Sequence, residues 1–559
     1  MNRYNYQIFT ALALSALCIT NFGCTKLNQK LKGTLTPEDA ANSFNASSFL
    51  ATSYTDIGAV YADLGSGAIS PMEDVTGDEQ VVPTRKSDWD DNGAWRQLHQ
   101  HIWPRNDGDN IFLNMWNGLN KIQFDATNVL NFKPTPEQIA EARFVRAFAL
   151  YQLLDLYGQF PFRNAGENLL NAPKVMRGDT AVQFIINELD TIIPLLTVSN
   201  NVAKASPDAA KMLLMKVYLN RGAFVNRANP TFSDADMQQV ITLGNQILAN
   251  AKYQYSSNYF DNFSPSNANS TEAIFAIPSV PNTTSNTAGK TAGYSGVQNR
   301  WWPTLHYNQY TPLNPQAGWN GFSTIAEFYN SFAVSDVAIA QGPKDTLLKD
   351  SRIGGRFYAG CTDKSGVKPG FLIGQQYNEA GTALQDRNKN PLIFLPQMAP
   401  DLKEQDPTTL ERTGIRIIKY PPDYSQGVIS YNTAGNWLML YRFPDVVLMV
   451  AEAKMRAAAP DNAGALVMVN KLRQARGANP LVSMPLVNTA DVYDPTTLLA
   501  ERGRELYWEW VRRTDLIRFG MFLKAWPYKP ADADGHTLVF PIPDQALAAN
   551  PNLIEPPGY

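Results

Sequence analysis

The chain has little cysteine and no dominant charge. Three cysteines, at positions 18, 24 and 361, stand among 559 residues, too few to imply a disulfide framework. Lysine and arginine number 48 against 51 aspartates and glutamates, a formal net charge of −3. That argues against nucleic acid as the main partner, because phosphate binding needs a basic face. No apolar run beyond the N-terminal leader is long enough for a transmembrane helix. H-E-x-x-H, G-x-S-x-G, P-loop and G-x-G-x-x-G motifs are all missing. The close pair His99 and His101 could bind a metal but has no third ligand signalled nearby, so it reads as a solvated or hydrogen-bonded pair.

What is present begins with an export signal. Met1–Gly23 carries Arg3 and then an apolar stretch from Ile8 to Ile19, too short to span a bilayer but fitting a signal peptide. Gly23-Cys24 resembles a lipoprotein signal, with Asn21 where Leu is usual. Acylation of Cys24 is the expectation, and ordinary cleavage leaving a free thiol is the alternative. An acylated chain would be anchored and not spanning. Thr25–Lys32 is polar and reads as a tether.

Helical patterns dominate the mature chain. Thr36–Tyr61 reads as a first helix with Thr36 as cap and Pro37 at its first position. Asn110–Leu130 follows at helical spacing. Thr135–Tyr157 is the best specified: Thr135 caps, Pro136 opens, Gln138 completes a capping box and Gly158 stops it. Asp179–Ile193, Pro207–Asn220 and Asp234–Ala251 are further helices. Phe443–Ala457 and Ala463–Ala475 form a pair joined by a short turn, as in tetratricopeptide hairpins, although no strict repeat of about 34 residues aligns. Between these blocks, Tyr253–Gln316 and Asp350–Asn432 are rich in Asn, Ser, Pro and Gly, with β-like runs such as Ile415–Tyr420. They are too long for connectors. The prolines of Val539–Tyr559 predict an extended tail.

One stretch stands out. Leu499–Gly520 places nine charged and four aromatic residues in what reads as a single helix. Its apolar positions recur at core spacing. Glu509 and Arg513 are i, i+4 partners, and Gly520 fits a C-terminal stop. Its carboxylates could be taken for the acid pair of a glycosidase. Each has an arginine within a turn, however, so an internal clamp is the expectation.

Several segments together resemble the SusD/RagB family of outer-membrane nutrient-binding lipoproteins. These are Glu141–Phe162, Arg442–Ala453, Asn470–Arg473, the helix from Leu499, and Val539–Tyr559 with its Phe540-Pro541-Ile542-Pro543 run. They occur in the family's order and span nearly the whole chain. The resemblance implies a mostly α-helical, SusD-like fold. Tetratricopeptide-like hairpins would form its scaffold, beneath long irregular loops with minor β-structure. It implies a lipoprotein signal at 1–23 and one domain at 24–559, with a helical part at 24–252 and a loop-bearing part at 253–559. It further implies display on the outer membrane, non-catalytic binding of an oligosaccharide, and delivery to a SusC-type TonB-dependent transporter; neither a cofactor nor a metal site is expected. A peptide-binding RagB-like variant and, in another class, a secreted glycan-degrading enzyme are the alternatives.

Sugar recognition needs flat apolar platforms for C–H faces and polar groups for hydroxyls. Asp88–Trp95 and Asn299–Asn320 supply both. The expected platforms are Trp89, Trp301, Trp302 and Trp319, with Asp74, Asp90 and Asn320 as hydrogen-bonding partners. A tryptophan in such a loop can equally serve as packing core. Trp103 and Trp116, beside or within helices, read as core.

Overall fold

A computed structural model describes residues 45–62, 67–107, 110–279, 303–311, 314–332, 350–354, 369–378, 381–421 and 435–559. The leader, Cys24, Thr36, Cys361, Trp301 and Trp302 lie outside the described residues.

The scaffold is a relay of packed helices. We number them α1 (Ala46–Ala62), α2 (Ile111–Val129), α3 (Pro136–Tyr157), α4 (Gly178–Ile192), α5 (Pro207–Val225), α6 (Asp234–Leu248), α7 (Phe443–Arg456), α8 (Asn462–Ala475), α9 (Leu498–Leu506) and α10 (Arg512–Arg518). From α1 to α8, each packs on the next. The relay holds even where α6 meets α7, across an insertion of nearly two hundred residues. Helical hairpins therefore form the scaffold, as the Ala-rich pairs predict. Ala46–Tyr559 forms one compact unit. Among the described residues no helix is long and apolar enough to cross a membrane.

Local signals set the helix limits. Thr135 accepts from the backbone N–H of Gln138, whose side chain returns to the Thr135 amide, and Gly158 ends α3 in the left-handed region at φ +69°. From Ala140 to Tyr157 every residue of α3 except Arg143 is buried. It therefore shows no amphipathic stripe, as a helix surrounded on all sides should not. Ser206, Ser233 and Asp461 cap α5, α6 and α8 through their side chains.

The insertion leaves and rejoins the scaffold through one antiparallel sheet of Ala273–Ile277 and Leu438–Arg442, with Arg442 opposite Ala273. The remaining strands are short and two-stranded. Gln159–Phe162 pairs antiparallel with Lys174–Arg177. Thr84–Arg85 pairs in parallel with Lys403–Glu404, more than three hundred residues away. Arg416–Ile418 pairs with Gly370–Leu372. The tail is mostly extended, yet Asp544–Ala549 makes a short helix between its prolines.

The stretch expected as one helix is two. After Leu506 the chain breaks, and Trp508 and Trp510 take left-handed conformations at φ +55° and +58°. A remote acidic segment compensates. The Trp508 amide donates to Glu79 Oε1 at 2.7 Å, the Trp510 amide to Asp74 Oδ1 at 3.2 Å, and Arg512 forks onto Asp78 at 2.6 and 2.7 Å. Backbone strain of this kind persists only where surroundings over-determine it. The break also separates Glu509 from Arg513. Glu509 pairs with Lys419 and Arg442, while Arg513 donates to the Leu538 carbonyl and lies 3.5 Å from Asp155. Gly520, at φ +71°, does lie just past the end of α10.

Candidate ligand-binding site

Two clusters combine aromatic with charged residues: the belt around α9 and α10, and the loops carrying Trp89 and Trp319. Only the second offers an open surface.

In the belt, Glu501 meets Arg352 at 2.8 Å, Arg473 at 2.6 Å and Arg504 at 2.6 Å. Glu505 meets Arg476 at 2.7 Å and Arg442 at 3.1 Å, and Arg442 reaches Glu272 at 2.8 Å. All these side chains are fully buried. Burial alone would push Glu501 up, but Arg352, Arg504 and Arg473 hold it well below the usual carboxylate range. The same contest leaves Glu452 at about 2, with Arg518 and Arg456 overcoming its burial. Carboxylates this enclosed have no open side for a sugar. Their arginines come chiefly from other elements, so they tie α9 to the insertion and to α8.

His99 and His101 are likewise internal. His101 Nδ1 lies 2.9 Å from Asp532 Oδ2 and its Nε2 2.8 Å from the Thr76 carbonyl. Burial lowers the His101 imidazole to about 4 against the pull of Asp532. Among the described residues no group of three His, Cys, Asp or Glu is placed to hold a metal ion.

The second cluster is built on Arg85. Its buried guanidinium donates to the Asn320 carbonyl at 2.7 Å, the Leu410 carbonyl at 2.5 Å and both oxygens of Thr413. One side chain thus gathers three loops distant in sequence. A reciprocal backbone pair between Arg85 and Asp88 turns the chain, and Trp89 follows at φ +61°. The Trp89 indole N–H donates to the Trp319 carbonyl at 2.7 Å. Its ring lies on Gly321, where a Cβ would stand 2.2 Å from it. Trp95 and Phe322 support the ring at 5.7 and 5.5 Å. Trp319 sits 6.4 Å from Trp89 at an interplanar angle of 49° and is 41% exposed. Large aromatics open to solvent beside rigid neighbours are what a stacking ligand requires.

Polar groups rim this pair. Asp90 is half exposed and 3.0 Å from Arg96. Asp88 accepts from the Tyr307 hydroxyl at 2.5 Å and from Arg387 at 3.1 Å. Arg387 lies over the Tyr307 ring at 3.7 Å, is itself half exposed, and is anchored by Glu411. Burial would raise Glu411, but His306 and Arg387 hold it at about 2, so it stays an anchor. Burial, then Asp88, pushes the Tyr307 hydroxyl up, which keeps it a donor.

Of the residues expected from sequence, Trp89, Trp319 and Asp90 come together at this surface. Trp301 and Trp302 lie outside the described residues. Asp74 and Asn320 are turned inward. Asp74 is 1% exposed, accepts from Ser70 at 2.9 Å and from the Trp510 amide, and faces an internal cavity of about 20 Å³. Asn320 is wholly buried, donating to the Glu411 carbonyl at 2.9 Å and accepting from Arg416 at 2.8 Å. Asn320 thus holds the loop that carries Trp319, and Asp74 holds the chain at Trp510. Arg387 was not signalled by sequence, because it reaches Asp88 across 299 positions.

The SusD family model matches residues 271–537. The chain is similar to the starch-binding protein SusD of Bacteroides thetaiotaomicron, 24% identical over 84% of this chain and 82% of that one. A SusD-like protein of Bacteroides ovatus is 26% identical over 39% of this chain; that match spans only 38% of the relative's length. Among solved structures, a laminarin-binding SusD-like protein superposes with a TM-score of 0.64 at 18% identity, covering 92% of this chain and 99% of the other. The architecture is SusD-like, and residues 271–537 match the SusD family model.

Proposed function

We propose that this protein is a non-catalytic, cell-surface glycan-binding lipoprotein that captures an oligosaccharide on the Trp89–Trp319 platform. The exposed Trp319 ring beside a braced Trp89, with Asp88, Asp90 and Arg387 at its rim, carries this reading. Stacking would take the C–H faces of the sugar, and the rim its hydroxyls. Trp301 and Trp302 extend the platform in this proposal, while Asp74 and Asn320 act as positioning residues. The relatives' names speak of starch in one case and laminarin in another, so the ligand class is glycan and the linkage is set by loop detail. The proposal includes cleavage of residues 1–23, acylation of Cys24 at the outer membrane, a single domain over 24–559, and hand-over to a SusC-type TonB-dependent transporter.

Affinity electrophoresis through gels containing starch, laminarin, xyloglucan, mannan or fructan tests the platform. Wild type is expected to be retarded in at least one gel, and Trp89→Ala and Trp319→Ala to run free in it. Retention of full retardation by both variants contradicts the site. Absence of retardation in every gel, with binding of peptides, favours the RagB-like alternative. Release of reducing sugar would overturn the non-catalytic reading.

A further inference from the structure

A second groove lies away from the tryptophans and shares no residue with them. It runs between the C-terminal half of α2 and the loop joining Gln159–Phe162 to Lys174–Arg177, with a volume of about 450 Å³. That falls within the ~300–1,000 Å³ usual for small-molecule sites. Asn117, Phe124 and Asn128 line it from α2, and Phe162, Leu169 and Pro173 from the opposite side. Phe124 is 44% and Leu169 64% exposed, which leaves an apolar face open on each wall.

The charges around the groove are spent within the protein. Lys121 lies 2.6 Å from Asp56 and 2.8 Å from Asp125. Arg163 donates to the carbonyls of Asn168, Leu169 and Asn171, holding its own loop in shape. Glu167 accepts from Asn164. Asn120, Gln123 and Asn164 already bond within the protein, while the exposed Asn117 and the amide N–H groups of Asn128, whose oxygen accepts from Asn131 at 3.4 Å, face the groove; an amide can both donate and accept. Lys121 is matched by two carboxylates and Arg163 has the Glu167 carboxylate nearby, so the groove offers an anion little net positive charge. An extended peptide would want a strand edge. Here Pro161 has no N–H to give, and its carbonyl already accepts from Gln123 at 2.9 Å. A phenyl face flanked by amides instead suits a hexose, which presents apolar C–H groups and hydroxyls together.

We propose that this groove is a second saccharide subsite, selective for a neutral oligosaccharide. It does not depend on the tryptophan platform, and the two can fail separately.

Calorimetric titration and native mass spectrometry with maltohexaose, laminarihexaose, a xyloglucan oligosaccharide and a neutral Gly/Asn hexapeptide provide the test. Wild type, Trp319→Ala, Phe124→Ala/Asn128→Ala and the triple variant are compared, with melting temperature as fold control. Asn117→Arg, at an exposed position, blocks the groove without touching the core. The expectation is two bound molecules of at least one sugar per wild-type chain and one per Trp319→Ala chain. Groove substitutions in that background should weaken the remaining site on the order of tenfold or more, about 1.4 kcal/mol. Sugar binding lost only with the groove variants supports the groove and overturns the platform. Loss of all sugar binding with Trp319→Ala, no binding of any probe sugar, binding of the peptide alone, or indifference to the groove substitutions each overturns the groove.

Discussion

The belt around α9 and the platform at Trp89 read alike in sequence, since both mix aromatics with Asp, Glu and Arg. They differ in where the partners are. Each belt carboxylate is met by arginines from elsewhere in the fold and sealed from solvent. At the platform one tryptophan is braced and the other is left 41% exposed. Composition marks both as dense; saturation and exposure separate a structural clamp from a surface that can receive a ligand.

The largest effect should come from breaking the clamp. Glu505→Ala leaves Arg442 and Arg476 short of a buried partner, and loss of one member of such a network costs about 3–5 kcal/mol. Chemical denaturation should show the midpoint falling accordingly; a drop smaller than that of an exposed pair such as Lys454–Asp461 would mean the belt is dispensable.

Acid is a second route to the same break. Glu452 is held at about 2 against an ordinary value of 4.5, and Asp445 at about 2 against 3.8, Lys216 and Arg502 overcoming its burial. A depressed folded value adds stability above the unfolded value and loses it as pH falls. Stability should therefore drop between about pH 4.5 and 2, and Glu452→Gln should flatten that part of the profile. An unchanged slope in the variant would contradict the pairing.

Two smaller effects probe the platform. Gly321→Ala places a methyl against the Trp89 ring, an overpacking worth about 1–3 kcal/mol; the ring should tilt, and glycan affinity should fall further than stability does. Trp319→Ala should leave the melting temperature within about a degree, because surface changes usually stay within ±0.5 kcal/mol, while glycan retardation disappears. A large thermal loss on Trp319→Ala would recast that ring as packing core.

Much of the scaffold was legible in the sequence, because its signals are local. Thr135, Pro136, Gln138 and Gly158 fix α3 within a few residues, and the Ala-rich pair of α7 and α8 announces a hairpin. The break at 507–511 was not legible. Its amides are caught by Asp74 and Glu79, more than four hundred positions away, and nothing near Trp508 signals them. The short helix Asp544–Ala549 hid for the opposite reason: the prolines around it mark its edges, not its absence. At the platform, two of the tryptophans expected from polar loops, Trp89 and Trp319, do lie together. Burial of Asp74 and Asn320 and the arrival of Arg387 depend on long-range packing that no spacing reveals.

In the proposed arrangement, stability and ligand binding are housed in different charged, aromatic regions of one chain. The most direct measurement is the dissociation constant of Glu505→Ala for a glycan that retards wild type, taken at a temperature where the variant is folded. The expected result is the wild-type constant despite the lowered melting temperature. Loss of affinity in folded protein would contradict it and move the binding site to the helix at Leu498–Leu506.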